Sequence, residues 1–179
     1  MEVTVRSAKK SQAAVLDNLM QLYLHDFSEF SGEVINESGR YEYPYLDHYW
    51  EDPDRYPFLI YADKDIAGFA LTRFEVDPLN GQGRMDMTEF FVLRPYRRQQ
   101  IGTLAAERLW NLFPGQWQVM VWKANKPAYA FWKPLIEKYT EKKFDERDEG
   151  SRLGGEYRFM FHSNSEFDPP PDLEIDMVE

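Results

Sequence analysis

Apolar and polar positions along the chain change period several times, and each change marks an element. The alternating Val3-Thr4-Val5 is a short strand. Ala13, Leu16, Met20, Tyr23 and Phe27 then recur at helical spacing, which predicts a helix over 11–27 with Ser11 as its N-cap. Residues 28–56 are less regular, with a short helix expected around 46–50. Segments 57–62 and 66–75 read as paired strands about the turn Asp63-Lys64-Asp65, and Asn80-Gly81 is a hairpin signal leading into a strand over 84–93. Ile101, Leu104, Ala105, Leu109 and Leu112 share one helix face, and 116–122 alternates as a strand. Asn125 suits the N-cap of a following helix, with Pro127 in its first turn, Ala128, Phe131, Trp132, Leu135 and Tyr139 on one face, and Pro134 placed to kink it. A closing pair of strands is expected in 141–148 and 157–161.

The most informative stretch joins the strand over 84–93 to the helix that starts at Ile101. Its turn carries Arg94, Arg97 and Arg98. The first helical N–H groups have no intrahelical partner and sit at the positive end of the macrodipole. With three guanidinium groups beside them they make a site for an anion such as a pyrophosphate. The same residues also suit a basic turn that only connects a strand to a helix.

Arg97-x-x-Gln100-x-Gly102 resembles the Arg/Gln-x-x-Gly-x-Gly/Ala signature of the GNAT superfamily of N-acetyltransferases, which cradles the pyrophosphate of acetyl-coenzyme A. Gln100 stands where the pattern has its first glycine, a residue that permits positive φ or close approach of backbone to phosphate. Asn125-x-x-Ala128-x-x-Phe131-Trp132 is similar to the second motif of that family, Asn-x-x-Ala-x-x-Phe-Tyr. There the tyrosine often protonates the departing thiolate, a role that an indole N–H at Trp132 cannot fill. The resemblance spans about residues 84–140. It implies a mixed α/β fold with a mostly antiparallel twisted sheet of six to seven strands, flanked by helices and splayed between the fourth and fifth strands. It further implies acetyl-coenzyme A as co-substrate, with recognition by Val92, Leu93, Arg97, Arg98, Gln99, Gln100, Ile101, Gly102, Thr103 and Asn125. His25, His48 and His162 form no metal spacing, so no metal is expected. The activity implied is N-acetyl transfer, with a non-catalytic acyl-coenzyme A sensor or partner module as the alternative on the same fold.

Composition narrows the remaining choices. A length of 179 residues suits one domain over 1–162, followed by an acidic, proline-rich tail over 163–179. The absence of cysteine excludes disulfides, thiolate metal sites and a cysteine nucleophile. A net charge of -10 argues against nucleic acid as a partner and favours a cationic substrate through steering. Without a long apolar run or a signal-peptide pattern, a cytoplasmic protein that does not bind membranes is the expectation. A homodimer stays open.

Direct transfer needs an amine free of its proton. For a lysine-like ammonium of pKa ~10.4, reaching the free amine at pH ~7.4 costs about 4 kcal/mol, which a placed carboxylate relieves in part. Glu89 is the candidate base, at the acidic position that GNAT proteins often carry before the bulge of this strand. Regular alternation would place Asp86 with Thr88 and Phe90 on one face, and Glu89 with Met87 and Phe91 on the other. A carboxylate in that setting is either a base, directly or through water, or paired to a basic residue. Backbone N–H groups near Val92 and Leu93 would polarise the thioester carbonyl. Tyr129 is the candidate acid for the leaving thiolate and equally a helix-surface tyrosine. For the acceptor, Tyr45, Tyr49 and Trp50 lie in an aromatic and acidic stretch over 41–52 that suits a small cationic amine, and they suit core filling as well.

Overall fold

In a computed structural model that describes residues 1–78, 80–150 and 154–163, ten regular elements follow the predicted order. They are β1 (Val3–Ser7), α1 (Ala13–Ser31), β2 (Arg55–Ala62), β3 (Asp65–Val76), β4 (Gly83–Val92), α2 (Ile101–Leu112), β5 (Gln116–Trp122), α3 (Lys126–Tyr139), β6 (Phe144–Glu149) and β7 (Glu156–His162). A 3-10 turn over Asp47–Trp50 occupies the place of the expected short helix. The expected tail falls outside the described residues from position 164 on.

Two boundaries differ from expectation. Ser11 does not cap α1, because Lys10–Gln12 form a 3-10 turn and the helix begins one residue later. Its C-terminus lies at Ser31 rather than Phe27, where Gly32 at φ 70° ends it and returns its N–H to the Ser28 carbonyl. The α3 helix runs on through Pro134. Its N-cap is Asn125 as read from sequence, with the side-chain oxygen accepting from the Ala128 N–H at 3.0 Å.

The strands form one seven-stranded sheet in the order β1-β2-β3-β4-β5-β7-β6. Every neighbouring pair is antiparallel except β4 with β5, which are parallel. That parallel pairing holds only for Met85–Trp117, Asp86–Gln118 and Met87–Val119. Beyond it β4 runs on to Val92 and β5 to Trp122 without a partner across the gap. This is the splay between the fourth and fifth strands. The outer strand β6 carries Asp145, Glu146, Arg147, Asp148 and Glu149, a charged edge that discourages further pairing.

Each face of the sheet buries its own core. On one side α2 and α3 pack through Ile101, Leu109, Trp110, Trp132 and Ile136 onto Met85, Met87, Trp117, Val119 and Phe159. On the other, Leu16, Leu19, Met20 and Leu24 of α1 pack onto Leu59, Phe69, Leu71 and Phe91. The two sets expose where regular alternation along β4 fails. Leu71 pairs with Glu89 while the next residue, Thr72, pairs with Met87, so Thr88 is an extra residue on β4. The bulge inverts the faces beyond it. Met87 faces α2 and α3 whereas Phe91 faces α1, and Phe90 packs on the side opposite the one expected. Glu89 is thereby brought to the same face as Asp86 and Phe91, toward α1. Gly68 on β3 admits β4 at this point, since a Cβ there would sit 2.0 Å from the Phe91 carbonyl oxygen.

The Asn125 cap gives a direct check on this reading of α3. Asn125→Ala is expected to cost about 1 kcal/mol and to lower the melting temperature by roughly 2–4 °C. Lys126→Ala, which removes no cap, should leave it unchanged in the same thermal melt.

Candidate active site

Two cavities meet at the splay. One, of about 510 Å³, is lined by Tyr23 and Phe27 of α1, Tyr43 and Tyr45 of the following loop, Thr88 and Glu89 of β4, and Met120 and Trp122 of β5. The other, of about 700 Å³, opens on the turn between β4 and α2 and is lined by Asp26, Arg94, Arg97, Arg98, Val92, Gly102 and Phe131. Tyr23, Phe27, Phe90, Asn125, Ala128 and Trp132 line both, so the two are halves of one cleft through the sheet.

Glu89 stands in the first half. The Tyr23 hydroxyl donates to one carboxylate oxygen at 2.5 Å and the Tyr43 hydroxyl to the other at 3.1 Å. Burial pushes the carboxyl up to about 7, with Asp86 adding to the rise, while the two tyrosine hydrogen bonds and Arg73 oppose it. Both tyrosines are held above their usual range, chiefly by burial and next by the Glu89 charge, so they remain donors. Of the two sequence readings for Glu89, pairing to a basic residue is the weaker one here. The nearby Arg73 gives its Nε to Asp86 instead, at 3.2 Å. The result is an ionisable carboxylate with its basicity near neutrality, enclosed in a cleft, and held in place by two hydroxyl groups.

The aromatic candidates separate. Tyr45 lines the first cavity and is 56 % exposed. Tyr49 is buried in the core under α1, and the Trp50 indole N–H donates to the Ala8 carbonyl at 2.7 Å with Lys10 over the ring. Neither lines the cavity. Tyr129 lies away from both cavities, its hydroxyl donating to Glu146 at 2.7 Å and accepting from Lys133 at 2.9 Å. Trp132, at the family tyrosine's position, lines the cleft with its ring against Phe90. The fold supplies Tyr23, Tyr43, Phe27 and Trp122 in their stead. Tyr23 and Phe27 fit the apolar stripe of α1 and so carry no separate signal in the sequence, although a tyrosine among leucines on a core-facing stripe does ask for a partner for its hydroxyl.

The second half carries the anion-site residues. Arg97 Nε donates to the Val92 carbonyl at 2.7 Å, and Gln99 closes the turn on the Pro95 carbonyl at 2.6 Å. Gln100 adopts φ 64°, ψ 1°, the left-handed conformation that the glycine of the motif permits, and Arg98 has φ 60°. A glutamine therefore supports the positive φ at a cost of about 1–2 kcal/mol. Gly102 in the first turn of α2 lies against α3, where a Cβ would meet Phe131 at 3.2 Å and Val92 at 3.5 Å. Ile101 is fully buried and anchors the helix start, and Thr103 is half-buried outside the cavity. The Leu93 N–H is spent on the Ala67 carbonyl at 2.8 Å, which removes it as a donor to a ligand. By alternation the Val92 N–H points the other way, toward the splay.

With this geometry in view, comparison with known proteins gives a consistent answer. Residues 16–135 match the model of the Acetyltransferase (GNAT) family, and the chain belongs to that family. No curated protein matches the chain. Among solved structures, an acetyltransferase from Thermus thermophilus is similar with a TM-score of 0.66 at 15 % identity, covering 90 % of this chain and 97 % of its own. Spermidine N-acetyltransferase from Vibrio cholerae, in complex with CoA and spermine, is similar with a TM-score of 0.60 at 14 % identity, covering 90 % and 95 % respectively. An acetyltransferase of the GNAT family from Staphylococcus aureus gives 0.59 at 13 % identity, covering 90 % and 99 %. At these identities the likeness is one of fold.

The left-handed backbone at Gln100 generates a test. Gln100→Gly exchanges the strain for a freer unfolded chain, so its melting temperature should stay within about 4 °C of the wild type or rise. Gln100→Val places a β-branched residue at positive φ and is expected to melt lower than both. Equal melting of the glycine and valine variants would contradict the strain.

Proposed function

We propose that the chain transfers an acetyl group from acetyl-coenzyme A directly to the primary amine of a small cationic acceptor, with Glu89 as base. The observation that carries this reading is the enclosed Glu89 carboxylate between Tyr23 and Tyr43, poised near pH 7 where the two half-clefts meet. The coenzyme fits the second half. Arg94, Arg97 and Arg98 with the first turn of α2 suit its pyrophosphate, and Phe90 and Trp132, which line both halves, stand where this half meets the other. When bound there it supplies the acetyl group as a thioester. The acceptor belongs to the first half. Glu33, Glu42, Glu89 and Glu156 line it together with Tyr23, Phe27, Tyr43, Tyr45 and Trp122, and none of the described lining residues is basic. Carboxylates and aromatic faces together favour an ammonium ligand. The Vibrio cholerae neighbour, which holds spermine, makes a polyamine a reasonable first acceptor to try.

Glu89 takes the proton of the bound ammonium, directly or through water, and so makes the nucleophile. The amine nitrogen bonds to the acetyl carbon, and the carbon–sulfur bond breaks. The Val92 N–H faces the charge that develops on the carbonyl oxygen. With Trp132 in the cleft and Tyr129 engaged by Glu146 and Lys133, no acid on these two positions is needed. The sulfur leaves as a thiolate at modest cost, its thiol having a pKa of ~8.5, and the second proton, shed by the nitrogen as the amide forms, passes to that thiolate or to water.

Three measurements bear on this. The kcat/KM of the wild type should rise with pH and level off above an apparent pKa of about 7, because the base works only when ionised. Glu89→Gln should lower kcat at least tenfold at pH 7 while coenzyme affinity is kept, the usual scale for a general base being ~10²–10⁴. Unchanged turnover would remove Glu89 from the reaction. Stability should move the other way. The folded carboxyl titrates above its unfolded value, so ionising it costs stability progressively as pH rises from the unfolded value through about 7. Thermal melts at pH 5 and pH 8 should therefore show Glu89→Gln gaining on the wild type at the higher pH.

A further inference from the structure

Tyr23, Asp26 and Phe27 stand at i, i+3 and i+4 on α1 and share one helix face. Tyr23 donates to Glu89, and Phe27 meets the Trp122 ring across the cleft at 5.0 Å. Asp26 lies between them and reaches the turn after β4. One of its carboxylate oxygens accepts from Arg94 Nη2 and the other from Arg97 Nη2, each at 2.6 Å. The two hydrogen bonds and the two positive charges hold the Asp26 carboxyl below the usual carboxylate range against the opposing pull of burial. It is ionised at any pH near neutrality.

This places a protein carboxylate on the guanidinium groups that an incoming phosphate needs. Arg97 is fixed at Nε by the Val92 carbonyl, so its Nη edge is what it can offer an anion, and Asp26 holds Nη2. We propose that Asp26 is an internal competitor of the coenzyme pyrophosphate: its carboxylate and the phosphate oxygens contend for Arg94 and Arg97, and the exchange sets coenzyme affinity. The proposal rests on the coenzyme reading of the second half-cleft. It makes Asp26 an affinity-determining residue, and it ties occupancy of the coenzyme half to the helix that also holds Glu89 and walls the acceptor half. Arg94 and Arg97 are 74 % and 42 % exposed at their side chains, and pairs of that exposure contribute little to folding. The Asp26 variants should therefore fold.

The test is calorimetric titration of coenzyme A into wild type, Asp26→Asn and Glu29→Gln. Glu29 lines the same cavity from the same helix, and Glu29→Gln removes the same charge without releasing the arginine pair. If the carboxylate competes, Asp26→Asn should bind coenzyme A about five- to tenfold more tightly, while Glu29→Gln should gain less than about threefold through charge alone. Unchanged or weaker binding by Asp26→Asn would overturn the proposal and make Asp26 a support for the arginines. An equal gain in both variants would also overturn it, leaving only net charge. Failure of the wild type itself to bind coenzyme A would instead overturn the coenzyme reading.

Discussion

Everything distinctive about this molecule follows from the short pairing of β4 with β5. Parallel strands normally stay together until one of them ends. Here the ladder stops at Met87–Val119, although β4 continues through five more residues to Val92 and β5 through three to Trp122. The extra residue at Thr88 coincides with the parting. A bulge bends its strand and leaves a residue unpaired, so the same local device opens the cleft and turns Glu89 toward α1. Cleft and carboxylate are two results of one backbone irregularity.

The open wedge then has to be walled, and the two sides are walled differently. Below the sheet, α2 and α3 close it with a conventional aromatic core of Phe90, Phe131, Trp132 and Trp110. On the other side α1 forms the wall together with the loop that carries Tyr43 and Tyr45. One face of α1 engages Glu89 through Tyr23, the arginine turn through Asp26 and the β5 end through Phe27. Polar groups facing a buried cleft are costly unless each finds a partner, and here Tyr23 has Glu89 while Asp26 has both Arg94 and Arg97. The helix is thus registered against both halves of the cleft by hydrogen bonds rather than by apolar contact alone.

The parts of this arrangement that depend on local periodicity were legible in the sequence. The strand at 116–122, the α2 helix from Ile101 to Leu112 and the Asn125 cap all stand where the spacing of apolar and capping residues places them, although Leu104 of the expected α2 face is exposed and Ala106 and Trp110 are buried in addition. Glu89 was legible as a carboxylate on this strand, β4, but regular alternation set it on the face of Met87, from which the bulge separates it. What the sequence pattern missed is of one kind. The faces of Met87 and Phe90 came out inverted, because a bulge breaks the period of two and leaves no composition signal of its own. For Tyr49 and Trp50 the core-filling alternative holds, Tyr49 lying in the core and Trp50 packing against it, and the pattern could not choose because an aromatic residue in an irregular segment reports burial without direction. Tyr23, Tyr43 and Asp26 lie 66, 46 and 68 residues from their partners Glu89, Glu89 and Arg94. Such pairings are set by how elements pack and not by any spacing along the chain.

The central claim, that the wedge and its arginine turn form a coenzyme site, is tested most directly by the melting temperature with acetyl-coenzyme A, coenzyme A, ATP and no ligand. A ligand at 100 times its dissociation constant adds ~2.7 kcal/mol, which in a domain of this size corresponds to a rise of roughly 5–10 °C. The account predicts that rise with both coenzyme forms and none with ATP at the same concentration. No shift with either coenzyme form, or an equal shift with ATP, would contradict it.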